Sequence, residues 1–265
     1  GETVAPPQRE PHAPGAVRLR VRDLRTAGAH GARDALDGVS FEVRAGEIYG
    51  LAGVGGNGQT ELACAIMGVG EAVTGELLVE GVGDLAALPA HRRDSGALAA
   101  IPADRQAYAL AGSLAVAENY AVGGACAGRY GSRWRLGRGR MAEATRRAAE
   151  AFNVQGVRSV WQKAALLSGG NAQKLVIARE FGKQPKLVLA HSPSRGLDVR
   201  ATAEVHARLL AARQAGAAVL LISEDLDEVL ALADRIGVMS RGAIVAELPQ
   251  PADRMAIGRA MVGHA

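Results

Sequence analysis

Aromatic side chains are scarce in this chain, 3% of 265 residues, and cysteine is nearly missing, with only Cys64 and Cys126 present. Two cysteines so far apart exclude a disulfide framework and a paired-thiolate metal site, and read as small core or surface residues of a reducing compartment. With apolar residues at 48% but few rings, the core must be built from Ala, Val, Leu and Ile. That favours parallel strands buried under helices over an aromatic-rich sandwich. No apolar run approaches the ~18 residues needed to span a bilayer, and no signal peptide leads the chain, so the sequence reads as soluble by itself. Basic residues interleaved with aromatics are missing too, which sets nucleic acid aside as a partner. The formal charge of +4 comes mostly from scattered arginines. The run Arg129, Arg133, Arg135, Arg138 and Arg140 reads as a solvated face, or as contact with a membrane-bound partner.

What is present in quantity is glycine, 34 residues, and an ordered alternation of element types. Residues 1–16 hold Pro6, Pro7, Pro11 and Pro14 with no apolar period, and read as an extended linker. The start on Gly rather than Met suggests a fragment of a longer polypeptide. Residues 17–263 read as one domain. Val17–Val21 and Val39–Val43 alternate as half-exposed strands, and Glu47–Gly53 is a short apolar strand leading into a helix at Thr60–Met67. A meander turning at Gly75, Gly81 and Gly83 leads to a strand at Leu98–Ile101. Residues 113–183 read as a mainly helical subdomain, with an amphipathic helix carrying Met141, Ala144, Thr145, Ala148, Ala149 and Phe152 on one face. Strands at Leu187–Leu189 and Ala217–Ile222 then alternate with helices, and a hairpin at 236–246 and a terminal helix follow. The expected fold is α/β, a mostly parallel core sheet with an antiparallel β-subdomain and an inserted α-helical subdomain.

Two glycine-rich segments carry the chemistry. Gly53-Val54-Gly55-Gly56-Asn57-Gly58-Gln59-Thr60 lies between a buried strand and a helix, where backbone N–H groups can curl around phosphates at a helix N-terminus. The phosphate-loop motif ends in Lys-Ser/Thr. Here Gln59 stands at the lysine position, and Thr60 keeps the hydroxyl that would touch Mg²⁺. A neutral amide gives roughly half the ~1.5–3 kcal/mol of a charged hydrogen bond, enough for weak nucleotide binding and too little for charge stabilisation in phosphoryl transfer. The second segment, Leu167-Ser168-Gly169-Gly170-Asn171-Ala172-Gln173-Lys174, opens an apolar helix, with Ser168 as N-cap and Gly169 and Gly170 leaving backbone amides open to an anion.

This second string resembles the LSGGQ signature of ATP-binding-cassette (ABC) proteins. Other landmarks then resemble theirs: Pro193-Ser194-Arg195-Gly196-Leu197-Asp198 the segment after Walker B with its D-loop, Ile222-Ser223-Glu224-Asp225 the switch-histidine segment, and Ile101-Pro102-Ala103-Asp104-Arg105 with Glu118-Asn119 the Q-loop region of sugar-type importers. The resemblance is to the two-cassette sugar and nucleoside importers, the nucleoside branch more than the ribose branch, with this chain as the second, C-terminal cassette. It implies ATP and Mg²⁺ as cofactors and a second cassette fused upstream. It also implies transmembrane permease subunits resting in a groove beside the Q-loop, an external solute-binding protein served indirectly, and a peripheral place on the cytoplasmic face of the bacterial inner membrane. Two such cassettes stack head to tail, each ATP lying between one phosphate loop and the other's signature. The loop from Gly53 to Thr60 and Asp198 are then nucleotide-binding candidates, while Ser168, Gly169, Gly170 and Gln173 serve ATP held by the partner.

Four departures fall on catalysis. The Walker B Asp is His191, a poor substitute for a hard oxygen ligand of Mg²⁺. The Glu that activates water is Ser192, and loss of a general base costs ~10²–10⁴ in rate. The switch His is Glu224, and the phosphate-loop Lys is Gln59. His30 is the nearest candidate for the adenine-stacking aromatic, with a solvated loop histidine as the plainer alternative. The expected function is an importer cassette that supplies its signature in trans while its own site is degenerate, leaving Thr60 a weak metal ligand and the lone domain inactive or very slow. A soluble non-transport cassette and a non-catalytic scaffold are the alternatives. The importer reading depends on residues 167–174 facing outward to a neighbour's triphosphate.

Overall fold

The computed structural model describes residues 13–26, 35–88, 96–126, 128–132 and 135–262. Most of the 1–16 segment, His30 and Arg133 lie outside them, as does the side chain of Cys126.

Strands β1 (Val17–Thr26), β2 (Asp37–Arg44), β4 (Val73–Val79) and β5 (Gly83–Asp84) form an antiparallel sheet in the order β2-β1-β4-β5. The expected strand at Val17–Val21 runs on to Thr26, because register shifts between Val21 and Arg25 bend it around β2. Gly75 (φ +97°) lets β4 pass the bend, since a Cβ there would lie 2.3 Å from the Asp23 carbonyl oxygen. The pleat turns Leu19, Val21, Leu24, Val39, Phe41 and Val43 inward, as period-2 alternation demands.

The second sheet has the order β12-β11-β3-β10-β9-β6, with β3 (Ile48–Ala52), β6 (Leu98–Ile101), β9 (Leu187–His191), β10 (Ala218–Ile222), β11 (Arg235–Ser240) and β12 (Ala243–Pro249). Its neighbours are parallel except β12, an antiparallel edge. Every residue of β3, β9 and β10 is buried, which explains their unbroken apolar runs. One face packs against the first sheet and α1 (Gln59–Met67). The other lies under residues of α5 (Gly169–Phe181), α6 (Val199–Gln214), α7 (Leu226–Leu232) and α8 (Arg254–Val262).

Between β6 and β9 the chain leaves the sheet for α2 (Arg105–Tyr108), α3 (Val116–Cys126), a short ribbon β7–β8 (Gly131–Ser132, Arg135–Leu136), α4 (Arg138–Ala151) and α5. Met141, Ala142, Thr145 and Ala148 are the buried residues of α4; Ala142 packs with Ala117 and Val160, and Ala149 and Phe152 pack against a small core that includes Val116, Val154 and Leu175. The fold is therefore the expected one, and it puts the C-terminal ends of β3, β9 and β10 at one edge, where open α/β sheets bind ligands.

Candidate functional site

The phosphate loop grows from the end of β3. Gly58 (φ +107°) caps α1, and a Cβ there would sit 2.5 Å from the Ala35 carbonyl oxygen, so the tight turn requires glycine. Gly56 (φ +86°) has open space on its Cβ side. The loop is tied to the β11–β12 turn by Arg241 N–H to Asn57 Oδ1 (2.9 Å) and Gly242 N–H to the Asn57 carbonyl (2.9 Å). Gln59 does not reach outward as a phosphate-binding lysine does. It is 7% exposed, its Nε2 donates to the Val54 carbonyl (3.1 Å), and its Oε1 accepts the Asn57 N–H (3.1 Å). The side chain braces the loop from inside and uses one N–H that a phosphate could take.

At the mouth of the loop a cavity of about 190 Å³ brings together Thr60, Asp104, His191, Ser192, Arg195 and Glu224. Four positions singled out in the sequence thus meet in one place. Burial pushes the His191 imidazole below its usual value; the nearby Glu224 carboxylate works against this, and Arg195 adds to it. Ser192 (φ +46°) turns the chain sharply at the end of β9, and its N–H donates to the Ile222 carbonyl (2.7 Å). Glu224 lies over the loop: a Cβ on Gly55 would be 2.7 Å from its Oε1. As oxygen donors for Mg²⁺ the cavity offers the Thr60 and Ser192 hydroxyls, the Asp104 carboxylate, already capping α2 through Gln106 and Ala107 N–H, and Glu224. The side chain at the end of β9 is an imidazole, a soft substitute for the hard oxygen ligand that Mg²⁺ prefers at that position.

The signature segment divides. Ser168 and Gly169 are exposed at the start of α5, where Ser168 Oγ accepts from Asn171 Nδ2 (2.9 Å) and caps the helix. Leu167, Ala172 and Gln173 face inward. Gln173 is 2% exposed, and its Nε2 donates to the Pro193 carbonyl (3.1 Å), so its amide is engaged within the chain. Asp198 likewise has a local task, capping α6 through the Ala201 N–H (2.8 Å).

The sequence patterns did not mark two contacts near the site. Arg105 lays its guanidinium against the signature: a Cβ on Gly169 would be 2.7 Å from its Nη2, and its buried Nε has no hydrogen-bond partner. Glu228 is buried behind the cavity, 2.9 Å from His206 Nε2. Burial pushes its carboxyl up, but His206 and the neighbouring Ser223 and Ser194 hydroxyls outweigh that and hold it below the usual range. No periodicity flags either residue, because the partners come from separate elements. A wider groove of about 510 Å³ lies to the side, lined by Tyr108, Leu114, Asn119, Val122, Arg179 and Lys183 among others.

Residues 36–195 match the profile of the ABC transporter family, and the chain belongs to that family. It is 42% identical over 257 residues to the glucose import ATP-binding protein TsgD13 of Haloferax volcanii, a match covering 96% of this chain and 46% of the relative. The nucleoside import ATP-binding protein NupA of Lactococcus lactis subsp. cremoris is 37% identical over 93% of this chain and 48% of its own length. The chain thus spans about half the length of these curated relatives. A solved ATP-binding subunit of an ABC transporter superposes with a TM-score of 0.71 at 26% identity, covering 91% of this chain and 93% of the other. A dimeric ATP-binding cassette bound to ADP and Pi shares the fold (TM-score 0.72, 18% identity, 89% and 100% covered).

One expectation is corrected. The sequence suggested the second half of a fused pair, with an upstream cassette as its built-in partner. A single stretch matches the family, and it makes a single cassette with one phosphate loop and one signature. No second cassette lies within these 265 residues. Among the described residues, no helix is long and apolar enough to cross a membrane.

Proposed function

We propose that this chain is the nucleotide-binding domain of an importer for sugars or nucleosides, and that its signature serves a facing cassette while its own catalytic site is degenerate. Relatives named for glucose and nucleoside import support the importer class. The observation that carries the asymmetry is the contrast between two glycine-rich sites. Ser168 and Gly169 stand exposed at a capped helix start, a geometry that binds anions. Around the chain's own loop, Gln59, His191, Ser192 and Glu224 occupy the positions that need a cation, a hard oxygen ligand, a general base and an imidazole. Weak binding at Gly53–Thr60, with Thr60 as the lone family-like metal contact, is compatible with that set; rapid hydrolysis is not. The groove beside Tyr108 and Asn119 is the surface we assign to a membrane-embedded subunit.

The test is ATP turnover by the isolated chain and by the assembled importer. Negligible turnover is expected from the chain alone. In the importer, Ser168→Arg is expected to cut turnover at least tenfold, while Ser192→Ala leaves it within twofold. Robust turnover by the isolated chain that survives Ser192→Ala would sink the proposal.

A further inference from the structure

The cavity at the mouth of the phosphate loop has a charge pattern that degeneracy by itself does not demand. Its lining supplies two carboxylates, Asp104 and Glu224, and one guanidinium, Arg195. Gln59 is neutral, and both ends of its amide are engaged inside the loop. A phosphate resting on the loop itself meets the N–H groups of Gly56 and Gly58 and the start of α1, all favourable to an anion. One phosphate further out the surroundings reverse. Glu224 Oε1 lies so close over Gly55 that any Cβ there would be 2.7 Å away, and the same carboxylate shares the cavity with Thr60 and His191. A terminal phosphate entering this space brings negative charge toward a carboxylate with no lysine to offset it. A divalent cation could relieve the repulsion, but Asp104 is already engaged in capping α2, Glu224 is the carboxylate that repels the phosphate, and the side chain at the end of β9 is the His191 imidazole.

We infer that Glu224 makes this site select a nucleoside diphosphate, held without a divalent cation, over the corresponding triphosphate. This rests on the reading of Gly53–Thr60 as a nucleotide cradle and deepens it, since a merely weakened site would lose affinity for both nucleotides alike. Here the loss falls on the triphosphate. Glu224 is exposed and makes no contact that holds the fold together among those described, so it can be exchanged for its neutral isostere without unfolding the domain.

The experiment is calorimetric titration of the chain with ADP and with ATP, each with magnesium chloride and with EDTA, for the wild type and Glu224→Gln. ADP is expected to bind on the order of tenfold more tightly than ATP, the scale of one like-charge contact at a protein surface, and its affinity is expected to be the same with and without magnesium. Glu224→Gln is expected to bring ATP to within about threefold of ADP, with ADP unchanged. A melting-temperature rise on adding ADP to both proteins checks that the variant remains folded and competent. Tighter binding of magnesium-ATP that disappears in EDTA overturns the inference, and its loss in Glu224→Gln would identify that carboxylate as a metal ligand instead. An ATP-to-ADP ratio unmoved by Glu224→Gln also overturns it. If neither nucleotide binds at millimolar concentration, the cradle reading itself fails, an outcome distinct from a reversed preference.

Discussion

Arg213 grips Asp234 through two hydrogen bonds of 2.7 Å, Nε to Oδ2 and Nη2 to Oδ1, and Asp234 Oδ2 also accepts the Ile48 N–H at 2.8 Å. The arginine is 2% exposed, so a planar fork at the end of α6 fastens the start of β3 to the loop before β11. That junction fixes where β3 begins, and hence where the phosphate loop emerges at its other end. Removing one partner of a buried pair strands the other charge. Arg213→Met is expected to cost about 3 kcal/mol, measured by urea unfolding.

Gly237 on β11 faces the ring of Tyr49 on β3, whose hydroxyl donates to Glu247 Oε1 (2.6 Å). A Cβ at 237 would lie 2.1 Å from the Tyr49 hydroxyl oxygen, and no solvent space receives the displaced ring. Gly237→Ala is expected to destabilise the fold by about 2 kcal/mol through overpacking. Gly237→Ala combined with Tyr49→Phe should recover part of that loss, and thermal melts of the two variants make the comparison.

Asn119 is 4% exposed and laces the 109–115 turn to α3: its Oδ1 accepts the Ala111 N–H (2.8 Å), and its Nδ2 donates to the carbonyls of Ala111 (2.9 Å) and Ala115 (3.1 Å). Asn119→Ala leaves the Ala111 amide and carbonyl without those partners and should cost about 2 kcal/mol. Asn119→Asp turns a carboxylate toward two carbonyl oxygens and should cost more near neutral pH. Its loss should shrink in acid, where the protonated carboxyl can donate one bond. Denaturation at two pH values separates the two effects.

The acid side of the stability profile carries a mark from His191. Its folded pKa lies below the ordinary 6.5 because burial disfavours the imidazolium. The unfolded chain therefore takes up a proton that the folded chain resists, so this contribution is complete above about pH 6.5 and is lost as pH falls through the folded value. Glu228, also depressed, adds a second loss as pH falls below about 4.5. His191→Gln is expected to flatten the first decline and spare the second, as followed by melting temperature against pH.

Much of this was legible in the order of residues. The spacing of Gly53, Gly56 and Gly58 marked the phosphate loop, and the Ser168-Gly169-Gly170 string marked the helix start, because backbone requirements of this kind leave a trace in consecutive positions. The buried runs of β9 and β10 gave the parallel core for the same reason. What stayed hidden depends on side-chain direction or on distant partners. Gln173 sits inside a surface motif yet turns inward to Pro193, a matter of one helical step that a string does not record. Arg105 meets Gly169 across 64 positions, and Glu228 meets His206 between two helices. The β7–β8 ribbon interrupts an otherwise helical stretch with two residues on each strand, too few to generate a period. The fused-pair expectation had a different origin: it came from the resemblance, with the proline-rich residues 1–16 read as a connector.

Gln59 joins both walls of its own loop, Val54 on one side and Asn57 on the other. A bend propped in this way is preset, and arrival or departure of a guest gives it little reason to flex. On the function proposed above, such a half in a clamp of two cassettes would act as the anvil, taking the blow at Ser168 without striking one, and the timing of each stroke would belong to the opposite jaw.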